Sequence, residues 1–194
     1  ARKHGLAASF MAKPHADRLG NGMHVHLSVI DQRGQNIFDD GSEAGSQLMQ
    51  YALAGLLAAM PESMLIFAPH HNSYRRFAIE SHAPVAACWG YENRTTALRI
   101  PYGPTQQRRI EHRVAGADTN PYLVLAAILA GVLAGLDQGV PPPPPTEGSA
   151  YDANLPSLPL TWQTAFGAFA KGSVLGDSLP DVFRHMLLDC KAQE

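Results

Sequence analysis

The stretch Gly20-Asn21-Gly22-Met23-His24-Val25-His26-Leu27-Ser28 places two histidines two residues apart, directly after two glycines. Residues i and i+2 of an extended segment point to one face, so His24 and His26 share a side of a strand. Glycine lets backbone approach a bound group closely, and imidazole is a common metal ligand near neutral pH. The pattern suits a place where an anionic ligand and a cation meet the backbone. A histidine pair satisfied by core hydrogen bonds is the other reading it allows. Farther along, Arg109-Ile110-Glu111-His112-Arg113 repeats the period of two and sets Glu111 between two guanidinium groups. That carboxylate is either simply ion-paired or, if its face meets His24, half of a mixed oxygen and nitrogen pair suited to Mn2+ or Mg2+. Such cations take about six donors, so two ligands do not complete a site.

The remaining arginines are grouped as well. Arg75 and Arg76 follow Asn72-Ser73-Tyr74, Arg94 and Arg99 lie five apart, and Arg108 precedes Arg109. Guanidinium forks grip carboxylate and phosphate oxygens at two points, so arginines converging on a cleft suit a nucleoside triphosphate together with an acid. Each taken singly also reads as one half of a surface ion pair, which contributes little.

These residues need a scaffold, and composition supplies one. The 194 residues are 45% hydrophobic and 16% charged, enough to bury a core. Fifteen Lys plus Arg against 17 Asp plus Glu give a net charge of -2, which argues against a general nucleic-acid binder. Cys88 and Cys190 have neither metal spacing nor a disulfide framework, which fits a reducing, cytoplasmic setting. No apolar run reads as a membrane span, and the first residues do not read as a signal peptide. The lack of an initiator Met suggests a piece of something longer.

Periodicity predicts strands over 23–30 and 37–38 joined by a glycine-bearing turn, then a helix over 46–60 ended by Pro61. Further strands are expected over 85–89, 95–100 and 109–113, and a largely apolar helix over 120–136 opened by Asn120-Pro121. Pro141 to Pro145 is a stiff spacer, with helices expected at 161–170 and 180–189. The expected division is 1–140 as the body and 141–194 as spacer and helical extension. Trp89, Tyr91 and Cys88 read as packing residues, Tyr91 and Trp89 alternatively as an adenine-side wall. His70 and His71 read as surface loop.

Lys13-Pro14, Gly20 to Ser28, Asn72-Ser73-Tyr74-Arg75-Arg76, Glu92-Asn93-Arg94, Leu98-Arg99-Ile100-Pro101, Arg109 to Arg113 and Asn120-Pro121-Tyr122 occur in the order seen in glutamine synthetases, and the sequence resembles that family. The resemblance runs from about residue 3 to 138. It implies an α+β fold of antiparallel sheet backed by helices, similar to guanido kinases, of which this is the C-terminal part. It also implies a reaction: ATP phosphorylates the γ-carboxylate of glutamate, and ammonia or an amine attacks the acyl phosphate. Carried over by position, His24 and Glu111 resemble metal ligands, with Mg2+ or Mn2+ as the ion. Gly20, Arg76 and Arg113 resemble glutamate-binding groups, and His26 and Ser28 resemble nucleotide contacts. Arg94 and Arg99 resemble the arginines that stabilise phosphates and the transferring phosphoryl group. The loop glutamate that shields the intermediate in glutamine synthetases proper falls on His82 here, with Glu80 two residues earlier. Loss of that carboxylate implies the γ-glutamyl-polyamine or γ-glutamyl-monoamine branch; Glu80 taking over the role is the alternative. The resemblance further implies a homo-oligomeric ring with sites between subunits, remaining metal carboxylates upstream, and an isolated segment that is inactive. A non-catalytic homologue that binds nucleotide or glutamate is the competing reading.

Overall fold

The computed structural model describes residues 1–79 and 81–194. Four short strands form one sheet in the order β1-β4-β3-β2, where β1 is Val25–Leu27, β2 Trp89–Tyr91, β3 Leu98–Ile100 and β4 Ile110–His112. β4 pairs antiparallel with both β1 and β3, whereas β2 runs parallel to β3, so the sheet is mixed at one edge. The connection 92–97 makes this possible. Glu92 adopts a left-handed φ of 51°, and the Asn93 side chain accepts from Thr95 N at 3.0 Å and Thr95 Oγ1 at 2.7 Å, turning the chain tightly enough to re-enter in the same direction.

Against the sheet packs α1, Gln47–Phe67, capped by Ser46, whose hydroxyl accepts from Met49 N at 3.2 Å. The helix continues past Pro61, contrary to the expected end there. Proline removes one backbone bond and crowds the preceding turn. Residues 62–67 are nonetheless all buried, and that burial outweighs the local cost. The real stop is Ala68, which leaves the helical region at φ -140° and ψ 72° ahead of Pro69. The expected hairpin over 23–38 is likewise mostly turn: one bridge joins Ile30 to Asn36, and Phe38 is a fully buried anchor rather than a strand residue. The Asp31 carboxylate accepts from Arg33 N and Gln35 N, which favours a compact turn over a longer ladder.

Helix α2, Pro121–Gln138, is capped by Asn120 and crosses α1 at a contact of bare backbones, with Gly55 facing Gly131 and Gly135. By length and composition alone α1 and α2 could each cross a membrane, but 72% of the α1 window is buried inside the fold. The proline segment is stitched to β2. Trp89 Nε1 donates to Pro143 O at 2.7 Å, Thr146 N donates to Trp89 O at 2.7 Å, and Asn93 Nδ2 donates to the carbonyls of Thr146 and Gly148. Residues 85–87, within the strand expected over 85–89, pair instead with the returning chain: Leu158 N donates to Val85 O, Ala87 N donates to Pro156 O, and Ala86 bridges Ser157, while Cys88 O accepts from Leu98 N of β3. Helix α3, Trp162–Lys171, then adds Ala165 and Phe169 to the same core as α1, the sheet and α2. A short α4, Val174–Ser178, and α5, Asp181–Lys191, complete the chain.

Glu62 of α1 is buried, and its Oε1 accepts from Val174 N at 3.0 Å, so it caps α4 from outside. Burial pushes its carboxyl pKa up against the opposing hydrogen bonds from Leu175 and Val174 and the Arg184 charge. The folded state therefore holds the proton more readily than the unfolded one. The stabilising contribution is complete below the ordinary carboxylate pKa and is lost as pH rises through the raised value. Glu62→Gln keeps an acceptor for Val174 N and removes the charge. It is expected to raise stability at pH 7 by roughly 1 kcal/mol, about 2–4 °C in thermal unfolding, with the gain fading in acid; a lowered midpoint at pH 7 would contradict this.

Candidate active site

The β1–β4 ladder brings the two motifs together. His26 and Glu111 are register partners, and the Glu111 carboxylate, 3% exposed as a residue, gathers groups from three strands. Glu111 Oε1 lies 3.0 Å from His24 Nδ1, 3.7 Å from His26 Nε2 and 3.0 Å from Arg113 Nη1. Glu111 Oε2 accepts from Arg99 Nη1 at 2.7 Å. Arg99 reaches back through Nη2 to the Glu92 carboxylate, making a chain of alternating charge, Glu92, Arg99, Glu111, Arg113. Arg113 Nη2 ends it on Arg94 O at 3.0 Å. Burial would raise the Glu111 pKa, but the Arg99 hydrogen bond and the Arg113 and Arg99 charges hold it below the usual carboxylate range. Glu111 is thus an anion at neutral pH. Burial and then the Arg113 charge lower the His24 pKa despite Glu111, keeping the imidazole neutral and able to coordinate.

Beside this centre lies Arg76, 5% exposed, whose Nη2 donates to Val114 O. Its pKa is pushed down to about 10 by burial, opposed by the Asp118 charge. The Gly20 backbone lies against it: a Cβ on Gly20 would meet Arg76 Cγ at 2.8 Å and Ala12 O at 2.6 Å. Asn72 fixes that approach by exchanging two hydrogen bonds with Lys13, at 2.9 and 3.0 Å. On the other flank Arg109 Nε donates to His26 Nδ1 at 3.3 Å, and His24, His26 and Ser28 form one exposed row. Arg94 is exposed and lines, with Tyr91, Glu92, Asn93, Thr146 and Glu147, an open cleft of about 610 Å³.

The arrangement unites His24, His26, Arg99, Glu111 and Arg113, with Gly20 and Arg76 adjoining; Arg94 enters the hydrogen bonds through its carbonyl. Ser28 stands farther along the row. His82 is exposed with a left-handed φ of 59°, on a loop held by Ser81 Oγ and by Tyr151, whose hydroxyl donates to Ala83 O at 3.0 Å. Glu80 lies outside the described residues. Trp89 and Cys88 are buried, as packing residues should be, whereas His70 and His71 are exposed, and His71 stacks on Trp162 at 4.9 Å.

Residues 1–194 match, over the whole chain, the family described as glutamine synthetase, catalytic domain. The chain belongs to the glutamine synthetase family. This family member is 44% identical to gamma-glutamylputrescine synthetase of Escherichia coli over all of the chain and 41% of that relative. It is 38% identical to gamma-glutamylethanolamide synthetase of Streptomyces coelicolor over 96% of the chain and 40% of the relative. Its fold superposes on ligand-free GmaS with a TM-score of 0.90 at 32% identity, covering 100% of the chain and 45% of GmaS. The chain therefore spans about two fifths of the length of these curated relatives.

Two features of this glutamine synthetase family chain escape sequence reasoning. Glu92 joins the charge chain, although its only sequence signal is a place in the Glu92-Asn93-Arg94 motif. Asp118 accepts from Ser73 Oγ at 2.6 Å and lends its charge to Arg76 from 42 positions along the chain; an isolated acid in a loop gives no such sign. The donors at the centre fit part of a divalent-cation site, one imidazole and one ionised carboxylate. Among the described residues, no three His, Cys, Asp or Glu groups stand together so as to hold a metal ion.

Proposed function

We propose that the chain is the C-terminal catalytic part of an ATP-dependent ligase that joins the γ-carboxylate of glutamate to an amine through γ-glutamyl phosphate. The observation that carries the reading is the buried Glu111 carboxylate, ringed by His24, Arg99 and Arg113 on a family scaffold. His24 and Glu111 would contribute ligands for Mg2+ or Mn2+, which when bound neutralises phosphate charge. Arg76 and Arg113, with the Gly20 backbone, hold glutamate. Buried guanidinium groups in a poorly solvated wall bind a carboxylate far more strongly than exposed ones. His26 and Ser28 contact the nucleotide, and Arg94 and Arg99 stabilise charge on the transferring phosphoryl oxygens. Such transfer needs positioning and charge neutralisation more than covalent participation by the protein.

The amine branch is favoured over ammonia. His82, an exposed side chain without a carboxylate, does not attract a small ammonium ion as a glutamate there would, and the relatives above are named for putrescine and ethanolamide products. A cytoplasmic homo-oligomeric ring completes the proposal: Tyr122, Leu125, Leu129 and Leu133 make an exposed apolar row on α2, a surface suited to burial between copies. The remaining metal carboxylates come from upstream sequence, so the 194-residue chain alone is expected to be inactive.

The test is phosphate release by the full-length protein with ATP, Mg2+ and glutamate, offering putrescine, ethanolamine, isopropylamine and ammonium in turn. Release with an organic amine at least tenfold above ammonium is expected. Preference for ammonium would make it a glutamine synthetase, and silence with all four would favour a non-catalytic homologue.

A further inference from the structure

We infer that Glu92 is a positioning residue that holds Arg99 for phosphoryl transfer by dividing the donors of its guanidinium between two carboxylates. The inference rests on the ligase reading above. Arg99 has five N–H donors on a flexible stem, and its strongest available partnership is a two-point fork onto one carboxylate. Facing Glu111 alone, it would take both Glu111 oxygens and lie flat against the group proposed to hold the cation. Here it does not. Nη1 donates to Glu111 Oε2 at 2.7 Å, while Nη2 is held by Glu92 Oε1, so Arg99 makes no fork and Glu111 Oε1 is left to His24 and Arg113.

Glu92 is itself fixed from three directions. Its second oxygen accepts from Tyr102 N at 2.6 Å, its own N–H donates to Ile100 O at 3.0 Å, and its backbone is held at φ 51°. A left-handed conformation is unfavourable for a non-glycine residue and persists where surrounding structure enforces it, often at functional positions. A glycine here would relieve the backbone; the residue is nonetheless a glutamate, and its side chain ends on Arg99. The parallel β2–β3 pairing supplies the geometry. Gly90 and Arg99 are register partners, so the residue two beyond Gly90 turns back over the Arg99 side chain.

That conflict between backbone and side chain makes the inference testable with Glu92→Gly, Glu92→Gln and Glu92→Asp in the full-length protein. Glycine removes the carboxylate while easing the backbone, so Glu92→Gly is expected to keep or raise the thermal midpoint and yet lower kcat by about tenfold or more, with KM for glutamate within twofold. Glu92→Gln should lose kcat similarly, Glu92→Asp should recover part of it, and Arg99→Ala combined with Glu92→Gln should lose little beyond Arg99→Ala alone. Wild-type kcat in Glu92→Gly, or losses that follow the thermal midpoint across the series, would overturn the inference while leaving the ligase reading intact. Absence of amine-dependent phosphate release from the wild-type protein would overturn both.

Discussion

Glu111→Gln in the full-length protein is expected to lower amine-dependent turnover at least 100-fold. The substitution is nearly isosteric, so its effect is electronic. It removes the negative charge on which His24, Arg99 and Arg113 converge, and it turns one oxygen into an amide donor facing a guanidinium donor. Removing one donor or charge from a preorganised centre typically costs a factor of about 100 to 1,000 in rate, and taking away one partner of a buried ion pair costs about 3–5 kcal/mol because the remaining charges are left uncompensated. Two readouts follow, turnover and the binding of Mn2+ measured by electron paramagnetic resonance. Both should fall. Turnover within threefold of wild type would show that Glu111 is only a structural counter-ion for the two arginines.

A large effect on folding is expected at the crossing of α1 and α2. A Cβ added at Gly135 would lie 2.1 Å from Tyr51 O and 2.8 Å from Gly55 N, and one added at Gly55 would lie 2.1 Å from Gly131 O. These neighbours are backbone atoms of packed helices and cannot swing aside, so the helices must separate or shift. Alanine is favoured over glycine in a helix by about 1 kcal/mol. Overpacking usually costs about 1–3 kcal/mol, and here each substitution meets several backbone atoms, so net destabilisation of about 3 kcal/mol is expected for Gly135→Ala and for Gly55→Ala. Gly167→Ala in α3 is the control. Nothing lies within 4 Å of its added Cβ, so the propensity gain of about 0.5–1 kcal/mol should appear as increased stability. Chemical denaturation reads all three, and stabilisation of Gly135→Ala would contradict the close crossing.

The site was more legible in the sequence than the connections that build it. A period of two fixes which side chains share a face, so the meeting of His24 with Glu111 and Arg113 needed only that two polar-faced strands be neighbours, and β1 and β4 are. Helix α2 is announced by Asn120-Pro121 and a long apolar run, and Gly131 within it lies at the crossing with α1. Gly55 and Gly135, which come closest, had no separate signal because glycine inside a helix reads locally as a defect. Pro61 misleads for a related reason: local rules give its cost, whereas the burial of Met64, Leu65 and Phe67 that offsets it is tertiary.

Pairing partners were the least legible feature. Residues 85–87 carry strand-like composition, but whether such a segment joins the central sheet or a returning loop depends on which edge is free, and here residues 156–158 take it. The parallel entry of β3 beside β2 was hidden in the same way. A short connection ordinarily predicts an antiparallel hairpin, and only the left-handed turn at Glu92 with the Asn93 side-chain bonds reverses that expectation. The same turn carries the Glu92 carboxylate to Arg99.

The measurement that bears most directly on the account is isotope transfer. Glutamate labelled with 18O in its γ-carboxylate, incubated with the full-length protein, ATP, Mg2+ and an accepted amine, should yield inorganic phosphate carrying one 18O atom for each γ-glutamyl amide formed, because the γ-oxygen leaves with the phosphoryl group. Amide formation with unlabelled phosphate would mean that no γ-glutamyl phosphate forms, and would contradict the roles given to Arg99, Glu111 and Arg113.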